Sequence, residues 1–210
     1  MLTASAIRTY RTVGALAILT AIFYQLGHGL EGGGWSTADY FSYFTILSNL
    51  FAAGILLAGA LRGPGPRSRT ADLLRGAAVM YMLTTGIVYA VLLSGHKPST
   101  PWANTVVHKI MPLVMIADWL LDPPRTQLPL RSTLSWLSFP LLYIAYTLIR
   151  GAIVNWYPYF FVNPHRAGGY LAVTAGCLAI GLGMIGLILL ITWAGNRRGQ
   201  TLAVSRPAAA

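Results

Sequence analysis

Charge is what this sequence has least of. Only 10% of its 210 residues are charged and five are acidic, where a soluble domain carries about 25%. That deficit excludes an ordinary water-soluble globule. The single cysteine, Cys177, lies in an apolar stretch; it excludes an intramolecular disulfide and a cysteine metal site. The four histidines, His28, His96, His108 and His165, show no ligand spacing, so neither a metal nor an organic cofactor is expected. No convincing internal repeat relates the two halves of the chain, whereas inverted-repeat transporters often show one. Nor does a small-residue cleavage site follow the first apolar run: Gln25, Leu26, Gly27 and His28 come next. That run is read as a retained helix and not as a removed signal.

What is present is long apolar runs. Stretches of about 18 or more apolar residues read as transmembrane helices. Six occur, at roughly 12–29, 38–61, 75–94, 104–121, 133–152 and 167–194. They predict an all-α fold, a polytopic integral membrane bundle of six transmembrane helices in one domain over 1–195, with a disordered tail at 196–210. Proline, glycine and arginine mark flexible linkers at 63–72 (GPGPRSRTAD) and 122–132 (DPPRTQLPLRS). Small residues on the sixth run, such as Ala172 and Gly176, favour close packing within the bundle.

A formal net charge of +10 would suggest nucleic acid as partner of a soluble protein. Here the cations sort by loop instead. Eleven arginines, from Arg8 to Arg206, fall in the two termini and in the loops after the second and fourth runs; the opposite loops hold Lys97 and Arg166. The positive-inside rule then puts both termini in the cytoplasm, in a plasma (bacterial inner) membrane. The charge anchors to anionic headgroups, so membrane lipids are the expected partners and nucleic acid is not.

That topology gives each polar residue a depth. At the outer ends lie Tyr24, Gln25 and His28 on the first run, and Asp39, Ser42 and Thr45 on the second, with Ser48 and Asn49 following. Thr84, Thr85 and Tyr89 close the third run, Asn104, Thr105, His108 and Lys109 open the fourth, and Tyr146, Thr147 and Arg150 close the fifth. The inner halves hold little beyond Asp118, Tyr81 and Tyr143. An unsatisfied polar group in hydrocarbon costs several kcal/mol, so a cluster at one depth implies a cavity open to the outside. With a rise of about 1.5 Å per residue, Thr45 and His108 fall about 10 and about 6 Å below the outer boundary. They can share a site.

A histidine beside a hydroxyl can take its proton as the oxygen attacks a carbonyl. Thr45 and His108 are the candidate pair. Asn49 and Asn104 are candidate donors to a developing oxyanion, and Arg150 a candidate bidentate partner for a carboxylate headgroup. Ser42, Ser48, His28 and Tyr89 complete the candidate cavity. A lone helical threonine more often bonds a carbonyl of its own helix, and a lone histidine is more often packed and hydrogen-bonded. Spacing therefore leaves two readings open. One is a hydrolase. The other is a non-catalytic small-molecule transporter or membrane interaction protein with the same outward-facing polar cavity.

YFSYFTILSNL at 40–50, NTVVHKIMPLVMIADWLL at 104–121 and the NWYPYFFVNP loop at 155–164 together resemble the Pr6Pr family of bacterial six-span membrane proteins. These are similar to the eukaryotic androgen-induced and androgen-dependent membrane hydrolases, the FAR-17a family. The resemblance spans about residues 10 to 190. It implies a threonine hydrolase that cleaves fatty acid esters of hydroxy fatty acids, or a related acyl ester, through an acyl-threonine. The nucleophile and the second catalytic residue would then be Thr45 and His108, and the partner a lipid or acyl-ester substrate.

Overall fold

The computed structural model describes residues 3–32, 36–63, 67–95 and 97–204, and among them all regular structure is helical. In chain order the helices are α1 (Ala4–Glu31), α2 (Thr37–Tyr40), α3 (Phe44–Arg62), α4 (Arg69–Leu93), α5 over 101–121, α6 (Leu130–Val154), α7 (Pro164–Ala167) and α8 (Tyr170–Val204). Thr3, Ser36 and Ser68 start α1, α2 and α4 by accepting an N–H three residues on, the usual N-cap arrangement.

Five helices, α1, α3, α4, α6 and α8, are long and apolar enough to cross a membrane. α5 is not one of them; Asn104, His108, Lys109 and Asp118 dilute its apolar run. It nevertheless belongs to the core. α1 packs on α3, α3 on α4, α4 on α5 and α5 back on α1. Between them are buried Ile18, Ile22, Leu56, Met80, Met111 and Met115. α8 leans on α4 and α5, and α6 touches α4 and α8 through its first turns at 130–137. Its second half, 138–154, stands off from the core and reaches it by side chains such as Tyr143.

Several expectations are corrected. The second apolar run is not one helix over 38–61 but α2 and α3, broken at 41–43. Carbonyls near the break find partners outside the helical ladder: Ser42 Oγ donates to the Ala38 carbonyl at 2.7 Å, and the Tyr143 hydroxyl to the Ser42 carbonyl at 2.9 Å. Thr45 is thus the second residue of α3, not a residue two turns in. The last helix does not end near 194. It continues to Val204, braced where Asn196 exchanges two hydrogen bonds with the Leu128 backbone, so 196–204 is not the disordered tail expected; 205–210 lie outside the described residues. The glycines of α8 at 176–186 do not serve close packing in the chain, whereas Gly195 does, since a Cβ there would lie 2.6 Å from the Trp119 ring. A Cβ added at Gly176, Gly181, Gly183 or Gly186 would meet nothing within 4 Å.

The end of the bundle expected to face inward is not poor in polar groups either. Asp118 accepts from Arg11 Nε at 2.6 Å and from Arg75 Nη2 at 2.7 Å. Asp122 pairs with Arg11 at 2.8 Å and also with Arg67, and Arg67 reaches Asp72 at 3.0 Å. Arginines that the loop count assigned to headgroups are here buried against carboxylates. Arg67, in the linker expected to be flexible at 63–72, is one of them; 64–66 lie outside the described residues.

Candidate functional site

α3 opens without a side-chain cap of its own. Its first N–H groups have no partner within the helix, and two tyrosines from elsewhere take them. The Phe44 N–H donates to the Tyr143 hydroxyl at 3.1 Å, and the Thr45 N–H to the Tyr159 hydroxyl at 3.3 Å. Thr45 is fixed by these contacts at the mouth of the helix, 6% exposed. Its Oγ1 does not bond a carbonyl of its own helix. It faces His108 Nε2 at 3.2 Å and the Tyr159 hydroxyl at 3.4 Å.

His108 is held by a local irregularity of α5. Pro112 has no N–H for the carbonyl four residues back, which is that of His108, and its ring crowds that carbonyl. The helix responds with one π-helical turn at Val106–Ile110, a feature common at functional sites. α4 closes on the same spot because Gly86 has no side chain; a Cβ there would lie 3.2 Å from the His108 carbonyl oxygen. A second π-helical turn, at Tyr89–Leu93, brings the Tyr89 ring onto the imidazole, centroids 4.2 Å apart and nearly parallel.

The imidazole tautomer follows from its partners. Nδ1 lies 3.1 Å from the Asn104 carbonyl oxygen, which can only accept, so Nδ1 carries the hydrogen. In the neutral ring Nε2 is then bare. It accepts the Thr45 hydroxyl hydrogen, the direction a general base requires.

Two cavities meet at this pair. The more polar of them, of about 360 Å³, carries Gln25, Thr45, Tyr89, Asn104, His108 and Tyr159, with Arg166 at its exposed edge, among apolar walls that include Ile46, Leu93, Pro98 and Phe160. An apolar one of about 140 Å³ lies between α4, α6 and α8. Thr45, Leu93 and Tyr159 line both.

The other sequence candidates have different places. Asn49, fully buried, donates to the carbonyls of Thr45 at 2.9 Å and Val107 at 3.1 Å. Both amide hydrogens are spent, so it is not an oxyanion donor; it ties α3 to α5 across the pair. The Asn104 amide donates one of its two hydrogens to the Tyr89 hydroxyl at 2.8 Å and lines the larger cavity, so the second hydrogen leaves it a candidate donor. Ser48 is buried on α3, where its hydroxyl has no partner among the described residues, and it stands outside both cavities. Ser42 bonds the Tyr146 hydroxyl at 2.9 Å and stands outside both cavities. His28 is exposed and stacks on Tyr24. Arg150 does not await a headgroup. It pairs with Asp39 at 2.7 Å and covers the Trp156 ring at 5.2 Å. Burial alone would raise the Asp39 carboxyl, but hydrogen bonds from Ser36 and Arg150, and the Arg150 charge, hold it below the usual range.

The residue that sequence reasoning missed is Tyr159. It comes from the aromatic loop at 155–164, whose role had no assignment. Asn155 ends α6 in the left-handed region at φ 53°, a conformation asparagine tolerates. The loop then folds back over the helix: a Cβ at Gly151 would collide with the Tyr157 ring, and Tyr159 packs edge-on against Tyr43. The proline and the aromatic density of NWYPYFFVNP were the available signal; which ring would reach Thr45 was not readable. Among the described residues no group of histidine, cysteine or carboxylate side chains is placed to hold a metal ion. Compared with models of protein families, with curated proteins and with solved structures, the chain matches none.

Proposed function

We propose that this protein is an integral membrane lipid-ester hydrolase with Thr45 as nucleophile and His108 as general base. The observation that carries the reading is the 3.2 Å contact between Thr45 Oγ1 and an imidazole nitrogen that the Asn104 carbonyl leaves unprotonated. α5 is the sixth crossing in this reading, and both termini are cytoplasmic. The lipid-ester class comes from the likeness of the 40–50, 104–121 and 155–164 motifs to the Pr6Pr and FAR-17a proteins, and from the apolar cavity beside the nucleophile.

The steps balance as an acyl transfer. Thr45 Oγ1 attacks the ester carbonyl and its proton passes to His108 Nε2. The Tyr159 hydroxyl accepts the Thr45 N–H and lies 3.4 Å from Thr45 Oγ1, so its hydrogen can swing from that oxygen to the oxyanion formed beside it. Collapse breaks the ester bond, and the leaving alkoxide takes the proton from His108. Water then attacks the acyl-threonine and gives a proton to His108. Collapse returns that proton to Thr45 Oγ1 and frees the fatty acid. The alternative, a transporter, needs a polar path through the bundle, and the Arg and Asp side chains at its other end are paired with one another and would have to part to open one.

The test is covalent. Purified protein in lipid nanodiscs is treated with a fluorophosphonate hydrolase probe and digested. The adduct is expected on the Thr45 peptide and absent from Thr45→Ala. An unlabelled wild type that also leaves a panel of acyl esters intact would sink the proposal. Tyr159→Phe keeps the ring packing and removes only the hydroxyl. Loss of one oxyanion donor costs about 10²–10³ in kcat, and that drop in ester turnover, with KM little changed, is the expected result.

A further inference from the structure

The apolar cavity is a feature the two catalytic residues do not require. It lies where the second half of α6 stands away from the core, so that α4, α6 and α8 enclose a space instead of closing on one another. Its walls are apolar over most of their extent: Val88 and Leu93 on α4, Leu137 and Ile144 on α6, Ile180 and Met184 on α8. Hydroxyls intrude from Thr84, which turns to Met80 Sδ at 3.6 Å, and from Thr85, which has no partner. No charged side chain lines it. One end is formed by Thr45 and Tyr159, the groups that would flank a reacting carbonyl. The wall toward the lipid is thin: Leu141 lines the cavity and is 63% exposed on the outside of the bundle.

From this placement we infer that the cavity between α4, α6 and α8 is the site of the acyl chain, with the carbonyl carbon at Thr45 and the leaving alcohol and hydrolytic water on the polar side. The inference rests on the proposed hydrolase reading and adds an orientation and a size to it. Polar and apolar spaces meet only at Thr45, Leu93 and Tyr159, so an ester lying across that junction has one sensible direction. Water can reach the acyl-threonine from the side of Gln25, Asn104 and His108, while the chain stays dry. A dry apolar cavity of about 150 Å³ holds a six-carbon hydrocarbon, and this one measures about 140 Å³. It therefore seats about the first six carbons of the chain. Longer chains leave past Leu141 into the bilayer, which gives a site that reads the near end of the chain and is indifferent to its total length.

Gly181 supplies the means to test this. It lines the cavity, and a Cβ there would meet nothing within 4 Å, so Gly181→Leu fills the space without disturbing the backbone of α8. Cys177→Trp fills it from one turn earlier on the same helix. Protein in nanodiscs is irradiated with a diazirine-bearing octanoic acid and the adducts are mapped. The expected result is an adduct on the cavity-lining positions of α8, within 177–184, that excess octanoic acid displaces. It should fall at least about tenfold in Gly181→Leu and in Cys177→Trp, with their helical circular dichroism unchanged. An adduct that excess acid does not displace, or that both cavity-filling variants retain, overturns the inference even if the protein hydrolyses esters. A displaceable adduct on a protein that cleaves no ester upholds the chain site and overturns the hydrolase instead.

Discussion

Thr45→Ala is expected to lose essentially all ester turnover, on the order of 10⁶ in kcat, the loss seen when a hydrolase nucleophile is removed. His108→Ala should lose about 10²–10⁴, the range that general acid–base catalysis supplies. The relation between the two is the sharper result. If His108 acts only by taking the proton of Thr45 and of the water that follows, it has nothing to do once the hydroxyl is gone. The double variant should then be no slower than Thr45→Ala. Turnover of a fluorogenic medium-chain ester by purified wild type, the two single variants and the double variant measures this, with thermal unfolding as the control for folding. Multiplicative losses would mean that the 3.2 Å contact is structural and that the residues act apart. Thr45→Ser is the companion. It keeps a hydroxyl at the same place on α3 and should retain measurable turnover, whereas a threonine needed only for shape would tolerate valine.

The part of this site that was legible in the sequence is the part fixed by depth. Thr45 and His108 are polar residues near the starts of two apolar runs expected to run the same way, which puts them at similar levels even though the break at 41–43 moves Thr45 to the mouth of α3; the structure has them in contact. What was not legible depends on partners far along the chain. Nothing local to Asn49 says that its amide will serve two carbonyls, one of them on α5. Arg150 reads as a free cation until Asp39, more than a hundred residues earlier, is placed beside it. Tyr159 lies in a loop, where no helical period says which way a side chain points. Pro112 was a signal within reach. A proline four residues after a histidine in a helix frees that histidine's carbonyl and loosens the turn around it, which singles His108 out from an ordinary packed residue. The fold shows the same division. The apolar runs located the long helices, but the break at 41–43 and the continuation of α8 to Val204 follow from side-chain partners, Tyr143 and Asn196, that lie on other elements.

The Arg–Asp cluster carries the largest expected effect on stability. Asp118 is 3% exposed and faces Arg11 and Arg75, each at about the length of a charge-assisted hydrogen bond. These residues come from α1, α4 and α5, three of the four core helices. Asp118→Ala removes the carboxylate shared by two buried guanidinium groups and leaves Arg11 with Asp122 alone, at 2.8 Å, and Arg75 with Asp72 alone, at 3.4 Å. Breaking a buried pair in this way costs about 3–5 kcal/mol, a large share of the about 5–15 kcal/mol that holds a domain folded. The expected outcome is a steep drop in thermal midpoint in detergent and little recoverable protein at 37 °C. Replacing the three groups together, with Asp118→Leu, Arg11→Met and Arg75→Met, should recover part of the loss, because an apolar substitute for a buried charged triad is often neutral and Arg67 remains to pair with both Asp72 and Asp122. If the single and triple variants are equally unstable, the charges serve some purpose other than pairing. Acid should act on the same cluster through Asp122. Burial alone would raise its carboxyl, but the hydrogen bond and charge of Arg67, with Arg75 and Arg11 beyond, hold it at about 2. A carboxyl depressed in the fold stabilises fully above its ordinary value near pH 4, and that contribution drains away as pH falls toward 2. The thermal midpoint should therefore be flat with respect to this group from pH 8 to about 5 and fall below about 4, and Asp122→Asn should lower it at neutral pH while blunting the acid fall.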